Sequence, residues 1–483
     1  MKKIISIFLV ISFLFTLSLP AFANEPHDAS ACDNVPVIVV RGMDFGGLYL
    51  DCGTENEQPA LSVDAGVIIK GLLKSVAAGI LKLSFDAVID GIADVAGEIF
   101  KNFTMDENGN SLYNVSVPKY TQSADNYENL LDGKDFEYGI VRTCIETLGN
   151  GHTYYINYDW RLDPFAVADD INAAIESAIE NTGHKKVNII CCSMGGIMTI
   201  AYLNKYGYEK VNRCLFMSST FCGAQVASDA LTGKIDIDAE NLYNYLKYTV
   251  SGNDALSFLI DAVYKLKIFD GLTLLTDYIL DNYKDRVFER VAIPVFGHML
   301  PMWGLVQSED YEDALDYVFG GREKADPAFL AKTDALQKMM TDKTDLIQEM
   351  IDNGVEIAVV AHYGLPVVPV YENSHFNGDT ILETYQMSGY ATVAPYGETL
   401  GDDYVAEKPE LLSPDRTVDL STALFPKYTY IIKGAPHVSG SYDTDYSKFI
   451  VWLLTYDGEF YAGASEDYPQ FMLSDSEQNL SKF

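Results

Sequence analysis

The chain alternates between short apolar runs, which are typical of buried strands, and longer segments whose apolar residues recur every three or four positions, as in helices. The strand pattern occurs at residues 35–40, 154–159, 187–191, 213–218, 355–360 and 428–432. Helical periodicity lies between several of these runs, for example at residues 165–180. Strands that alternate with helices predict a mostly parallel sheet flanked by helices, with right-handed crossovers. The pattern therefore predicts the α/β class.

Two stretches interrupt this alternation and predict insertions. Residues 64–100 have helical periodicity weakened by glycines, within an insertion at about 54–118. This helical flap fits a lipid-contacting element and a helical layer packed on the core equally well. Residues 226–351 are mostly helical and rich in aromatic side chains, which predicts a cap or lid. The two parts of the core are then residues 33–225 and 352–470, followed by a tail at 471–483 that we expect to be frayed from about Ser474.

The start of the chain has the pattern of an export signal. Two lysines precede an apolar stretch at residues 4–19, and Ala21-Phe22-Ala23 fits a small-residue cleavage site. We therefore expect a signal peptide at residues 1–23 and a secreted product. A membrane anchor is the less favoured alternative, because the apolar stretch is short and is followed by this site.

The chain is strongly acidic, with a net charge of -35 over 483 residues. Such a surface disfavours nucleic acid and broad attraction to anionic membranes. None of the seven cysteines forms a C-x-x-C pair, so no metal site is predicted. Cys32 and Cys52 flank the first strand and its loop, and they are the best candidates for a disulfide in an exported protein.

A strand, a sharp turn and a helix meet at Cys192-Ser193-Met194-Gly195-Gly196. This is the layout of a nucleophile elbow, in which a strained turn presents a serine hydroxyl above the edge of an α/β-hydrolase sheet. Small residues are needed because the turn is tight and its neighbours pack closely. The sequence therefore predicts acyl-transfer chemistry with Ser193 as the nucleophile.

A serine hydroxyl needs a histidine base and an acid that orients this base. In the α/β-hydrolase order the histidine lies in a loop after the last strand. Of the seven histidines, only His437 follows the final predicted strand directly. His362 and His375 lie earlier, at and beyond the end of the run at 355–360, and His375 remains the competing base.

The acid is expected in the loop after the same run. Glu372, Asp379 and Glu383 lie there, and Asp402 and Asp403 follow in a polar, glycine-rich stretch that has the composition of a solvated loop. Asp379 follows the turn-forming pair Asn377-Gly378 and precedes the apolar residues Ile381-Leu382, which suits a carboxylate that points inward. Asp379 therefore ranks first.

The tetrahedral intermediate needs hydrogen-bond donors for its oxyanion. In this fold these are the amide after the serine and an amide from the loop after an early strand. They map to the backbone N–H groups of Met194 and Met43, and Gly42 allows the second loop to approach closely.

The stretch before the elbow reads Tyr158-Asp159-Trp160-Arg161-Leu162. Together with the segments above, it resembles the lecithin–cholesterol acyltransferase family, which has a Tyr-Asp-Trp-Arg-Leu stretch before a His-Ser-Met-Gly-Gly elbow. Asp379 and His437 match the positions of that family's acid and histidine. The resemblance covers five short segments between Pro36 and His437.

The chain departs from this pattern at three positions. Cys191 stands where most elbows have glycine, Cys192 stands where histidine is common, and Arg41 replaces the usual proline. Because cysteine is small, we expect Ser193 still to be presented. The resemblance implies that Asp159 and Arg161 form an ion pair that ties the loop carrying Trp160 beside the site, and a direct contact with substrate is the less favoured alternative.

The resemblance implies a secreted serine lipase, phospholipase or lipid O-acyltransferase that acts through an acyl-serine intermediate. It implies no metal or organic cofactor, a lipid or other ester as partner, and transient membrane or micelle contact through flap and cap. Three alternatives remain: a small-ester carboxylesterase, a serine peptidase on the same fold, and an inert lipid-binding homologue.

Overall fold

The computed structural model of the chain describes residues 34–61, 85–131, 136–236, 238–370 and 376–483. The predicted signal peptide, Cys32, Glu372, His375 and the first part of the predicted flap helices, at residues 62–84, lie outside the described residues. Within the described ranges, none of the helices combines the length and the apolar character that crossing a bilayer requires.

The described strands are β1 (Val37–Val40), β2 (Tyr49–Leu50), β3 (Gln58–Pro59), β4 (Val115–Ser116), β5 (Thr153–Ile156), β6 (Val187–Ser193), β7 (Val211–Ser219), β8 (Glu356–Tyr363), β9 (Leu365–Pro366), β10 (Asn377–Gly378), β11 (Thr392–Val393), β12 (Val418–Asp419), β13 (Thr429–Lys433), β14 (Phe471–Ser474) and β15 (Leu480–Lys482). Eight of them form the central sheet of the structure, in the order β15-β14-β13-β8-β7-β6-β1-β5. Every neighbouring pair in this sheet is parallel except β14 and β15, so the expected α/β class with a mostly parallel sheet is confirmed.

The helices cover both faces of the sheet, and the part of the chain that connects β7 to β8 is mostly helical. They are α1 (Phe85–Phe100), α2 (Glu128–Leu131), α3 (Phe136–Leu148), α4 (Pro164–Thr182), α5 (Gly195–Tyr206), α6 (Gln225–Thr232), α7 (Ala239–Thr249), α8 (Asp254–Lys265), α9 (Ile268–Val287), α10 (Ile293–Phe296), α11 (Leu300–Leu305), α12 (Tyr311–Phe319), α13 (Pro327–Asp352), α14 (Thr384–Met387) and α15 (Asp445–Thr455). A π-helical segment, Phe288–Ala292, joins α9 to α10.

Successive side chains of the central strands point to opposite faces, which explains why the strands are apolar throughout. Ile189 and Cys191 of β6 belong to the core beneath α4 and α5, whereas Ile190 and Cys192 belong to the core beneath α3 and α15. A strand buried on both sides has no polar face, so its sequence is a continuous apolar run.

The acidic face of α1 contacts the predicted cap. The guanidinium of Arg286 in α9 donates two 2.6 Å hydrogen bonds to the carboxylate of Asp90, and Arg290 lies 2.5 Å from Asp94. Ile89 and Ala93 of α1 are buried. The described part of the flap is therefore a helix packed against neighbouring helices, next to a small antiparallel sheet of β2, β3 and β4.

The expectation of a frayed C-terminal tail is wrong. Residues 471–474 form β14, which extends the central sheet beside β13, and β15 closes its edge. Between them, the side-chain oxygen of Gln478 accepts hydrogen bonds from the amides of Gly440 and Ser441, each 2.9 Å long. These strands are short and combine polar with apolar residues, so the sequence pattern does not reveal them. An edge strand needs only one or two buried residues. β13 is consequently not the last strand, although His437 does follow it.

Met472 gives a direct test of this edge, because its side chain is 1% exposed and lies in the core beneath α3 and α15. We expect Met472→Ala to lower the free energy of unfolding by about 2–5 kcal/mol, the usual cost of deleting a buried methionine side chain. Urea denaturation measures this loss. The control is Ser476→Ala, which alters an exposed residue between the two strands. An unchanged free energy of unfolding in Met472→Ala would show that this segment does not pack on the central sheet.

Candidate active site

Ser193 lies at the carboxyl end of β6, immediately before α5, and has a left-handed backbone conformation with φ of 51°. This conformation costs a non-glycine residue roughly 1–2 kcal/mol. The carbonyl of Ser193 accepts hydrogen bonds from the amide (3.0 Å) and the hydroxyl (3.2 Å) of Thr220. These contacts hold the strained turn in place.

The glycines of the elbow are required by close packing. A Cβ atom on Gly195 would lie 2.5 Å from the carbonyl oxygen of Val40 and 2.6 Å from that of Arg41. A Cβ atom on Gly196 would lie 3.1 Å from the Cβ atom of Ser219. The first turn of α5 can therefore approach β1 and β7 only if it carries no side chains there.

The imidazole of His437 lies against the Ser193 hydroxyl. Its Nε2 atom is 2.9 Å from Oγ of Ser193, which is within hydrogen-bond reach. His437 is in the loop after β13 and is 8% exposed. Of the predicted bases within the described residues, His437 is the one that the structure brings to Ser193.

The carboxylate of Asp379 orients this imidazole from the other side. Its Oδ2 atom is 2.7 Å from Nδ1 of His437, and its Oδ1 atom accepts hydrogen bonds from the amides of Ile381 (3.0 Å) and Leu382 (2.8 Å). The amide of His437 donates to the carbonyl of Asp379 at 2.7 Å, so backbone and side chain both join the two loops. Asp379 is fully buried.

Burial by itself raises the pKa of the Asp379 carboxyl, but the pKa is held below its ordinary value by opposing contacts. The charge and hydrogen bond of His437 lower it most, and His362 and the Ser218 hydroxyl lower it further. A buried carboxylate with several donors therefore remains ionised, as an acid that orients an imidazole must.

Ser218 is a neighbour of this carboxylate that the sequence did not single out. Its hydroxyl donates to Oδ2 of Asp379 and lies 3.2 Å from Nδ1 of His437. Two adjacent serines end β7, and periodicity alone does not say which one faces the site. A bulge decides this, since it gives Ser218 a φ of 45°.

Side chains that follow β5 hold the loop carrying Gly42 and Met43. The hydroxyl of Tyr158 donates to the carbonyl of Arg41, and the indole Nε1 of Trp160 donates to the carbonyl of Asp44, both at 2.9 Å. Because the two donors are buried, they fix the loop at both ends of the predicted oxyanion segment. Met194, the other predicted donor, is the N-cap residue of α5.

Asp159 and Arg161 form a buried ion pair beneath this loop. Nε and Nη2 of Arg161 donate to the two oxygens of Asp159 at 2.9 and 2.6 Å, and Nη1 donates to the carbonyl of Asn102 at 3.1 Å. The side chain of Arg161 is 0% exposed and that of Asp159 is 4% exposed. The pair connects the β5 loop to the segment after α1, so its observed contacts are structural.

The two cysteines of the elbow are buried on opposite faces of β6. The thiol of Cys191 donates to the carbonyl of Leu215 at 3.4 Å, and burial together with Cys214 raises its pKa well above the ordinary value. The thiol therefore remains neutral and packs as a small apolar group, in the position where glycine is usual.

The other predicted candidates lie elsewhere. His362 is buried, and its Nε2 atom is 2.5 Å from the hydroxyl of Tyr446. Burial lowers its pKa to about 4, so its ring is neutral near pH 7. Glu383 is buried and accepts a 3.4 Å hydrogen bond from the amide of Gln225, while Asp402 and Asp403 are exposed.

Comparisons with known proteins identify no family. No protein-family profile matches the chain, and no curated protein matches it in sequence. A chain of the structure described as "The crystal structure of Tle4-Tli4 complex" is similar with a TM-score of 0.31 and 11% identity, over 68% of this chain and 75% of that chain. A likeness of this size identifies neither a family nor an activity.

Arg161 offers a test of the buried ion pair. Arg161→Leu leaves the Asp159 carboxylate buried without its partner, and we expect the free energy of unfolding to fall by about 3–5 kcal/mol. The control is Lys338→Leu, which breaks an ion pair to Asp342 whose lysine is 74% exposed. Such a pair contributes about 0–1 kcal/mol. Equally small losses in urea denaturation of both variants would contradict the bracing role.

Proposed function

We propose that this chain is a secreted serine hydrolase or O-acyltransferase that acts on lipid esters through an acyl-serine intermediate. The observation that carries the proposal is the continuous hydrogen-bonded series from Ser193 through His437 to Asp379, with distances of 2.9 and 2.7 Å. The motif resemblance to the lecithin–cholesterol acyltransferase family supports the choice of lipid esters.

In the first half of the reaction, Nε2 of His437 accepts the proton of Ser193 as the hydroxyl oxygen attacks the ester carbonyl. Asp379 keeps the Nδ1–H tautomer in place and stabilises the imidazolium that forms. The resulting oxyanion is bound by the backbone amides of Met43 and Met194. The carbon–oxygen bond to the leaving alcohol then breaks, and His437 returns the proton to that alcohol.

In the second half, water or an acceptor alcohol loses a proton to His437 and attacks the acyl-serine. Collapse of the second tetrahedral intermediate restores the Ser193 hydroxyl and releases the acid or the new ester. Each of the oxyanion donors contributes about 2.7–4 kcal/mol to lowering such barriers. The rigid loop beneath Met43, held by Tyr158 and Trp160, preorganises one of them.

Removal of the nucleophile tests this proposal. We expect Ser193→Ala to lower ester turnover about 10⁴-fold or more, because nucleophile and base act as a unit. Thermal unfolding should stay the same or improve slightly, since alanine removes one hydroxyl from a partly exposed position. Hydrolysis of p-nitrophenyl and phospholipid esters measures turnover. Full activity in the folded variant would exclude Ser193 as the nucleophile.

Contact with a lipid surface is the second part of the proposal. The predicted cap presents large apolar side chains to solvent on α8, on α9 and between them. Phe258 is 75%, Leu266 71% and Leu274 69% exposed. We propose that these three side chains belong to one apolar surface, because large exposed apolar patches are typical of surfaces that contact lipid or protein partners. On an acidic chain they favour a lipid aggregate bound by apolar insertion over one bound by charge.

The double variant Phe258→Ser/Leu266→Ser tests this contact. We expect several-fold slower hydrolysis of micellar or vesicular esters and unchanged hydrolysis of a soluble short-chain ester, because the change affects only docking. Leu112→Ser is the matched control, since Leu112 is 58% exposed outside the cap. Equal rates of the double variant and the parent on micelles would refute docking by the cap.

A further inference from the structure

The carboxyl end of β7 contains an irregularity next to the elbow. Cys192 of β6 lies opposite Met217 of β7, but Ser193 lies opposite Ser219, so Ser218 has no partner across the strands. Such a bulge redirects one side chain, and here the φ of 45° turns Ser218 toward the Asp379 loop. A serine kept in this strained conformation points to a role for its side chain.

The side chain of Ser218 makes its contacts within the hydrogen-bonded series. Its hydroxyl donates to Oδ2 of Asp379, lies 3.2 Å from Nδ1 of His437 and lies 3.7 Å from Sδ of Met387. Ser218 is 5% exposed, so water does not replace these contacts freely. Two backbone amides bind Oδ1, and among the residues that the structure describes, the hydroxyl of Ser218 and the imidazole of His437 are the donors to Oδ2.

We propose that Ser218 is a positioning residue, whose hydroxyl fixes the Asp379 carboxylate in the plane from which it orients His437. The proposal rests on the proposed function, because it assigns Ser218 a part in the same reaction. The hydroxyl touches neither the substrate nor Ser193. It acts by restricting rotation of the carboxylate, whose other side-chain donor at Oδ2 within the described ranges is the imidazole of His437.

The hydroxyl also favours the state of the pair in which Asp379 is ionised and His437 is neutral. A donor to a carboxylate stabilises its negative charge, so loss of the donor makes uptake of a proton by the pair easier. In the part of the chain that the structure describes, the titratable groups that face Asp379 are His437, His362 of β8, Tyr446 of α15 and Tyr248 of α7. His362, with a pKa of about 4, is neutral between pH 5 and 8, and burial raises the pKa of both tyrosines. The acid limb of the pH profile in that range therefore reports the pair.

Two variants separate the hydroxyl from the backbone. Ser218→Ala removes the hydroxyl and keeps the Cβ atom, whereas Ser218→Gly removes the hydroxyl and also relieves the strain at positive φ. The matched control is Ser219→Ala, because the hydroxyl of Ser219 is buried and makes no hydrogen bond to the described residues.

We expect kcat to fall roughly tenfold or more in both Ser218 variants, with KM within twofold of the parent, as for loss of a hydrogen bond to a charged group. The acid limb of kcat/KM should move to higher pH by roughly half a unit or more. Ser219→Ala should match the parent. Parental kcat and an unshifted limb in folded Ser218→Gly would overturn the proposal, as would a defect confined to Ser218→Ala, since that pattern reflects backbone strain.

A second measurement does not need turnover. The titration of His437, followed by NMR of its ring carbons and assigned with His437→Gln, should have a higher midpoint in both Ser218 variants than in the parent. Identical titrations would overturn the role of Ser218 even if the enzyme is active. If the parent hydrolyses no ester but the titration midpoint of His437 is still higher in the Ser218 variants, the proposed function is refuted and the positioning role of Ser218 is retained.

Discussion

The geometry of the site depends on one constraint, which is that parallel strands end at the same edge of the sheet. β6, β7, β8 and β13 are adjacent and parallel, so the loops that follow them start within reach of one another. Ser193 and Ser218 lie at the carboxyl ends of β6 and β7, and His437 lies in the loop directly after β13. Asp379 lies in the longer connection after β8, where it directly follows β10. Residues separated by up to 244 positions therefore meet within hydrogen-bond distance.

Burial of the Asp379 carboxylate makes the arrangement of these side chains specific. A buried negative charge is expensive unless donors surround it. Here two amides of its own loop bind one oxygen, and the imidazole and the Ser218 hydroxyl bind the other. The same contacts that stabilise the charge also fix the direction of the imidazole. Stability of the loop and orientation of the proposed base thus have one physical source.

Much of this arrangement could be predicted from sequence, because its signals are local. Continuous apolar runs indicated the buried parallel strands, and small residues around Ser193 indicated the tight turn. Asp379 and His437 followed from their places in the strand order. Ser218 could not be found in this way, since a bulge depends on the register between two strands. Nor could β14 and β15, whose placement depends on the edge that β13 leaves open and on contacts of Gln478 with a distant loop.

The loop after β5 shows a further limit of local signals. The resemblance implies the ion pair between Asp159 and Arg161, but the link of Arg161 to Asn102 depends on where the segment after α1 lies. Likewise, the acidic stripe of α1 has the pattern of a solvated face. In the structure, it pairs with Arg286 and Arg290, so its charge contributes to contact between flap and cap.

The proposed role of His437 is to make the hydroxyl of Ser193 nucleophilic. Peptide mass spectrometry after reaction with a long-chain fluorophosphonate measures this activation at the residue itself, because the reagent phosphonylates an activated serine and leaves the modified residue identifiable. We expect a phosphonyl group on Ser193 in the parent, none on Ser218 or Ser219, and at least a hundredfold slower labelling in His437→Gln. Labelling of another serine would exclude Ser193 as the nucleophile, and equal labelling rates with and without His437 would exclude His437 as its base.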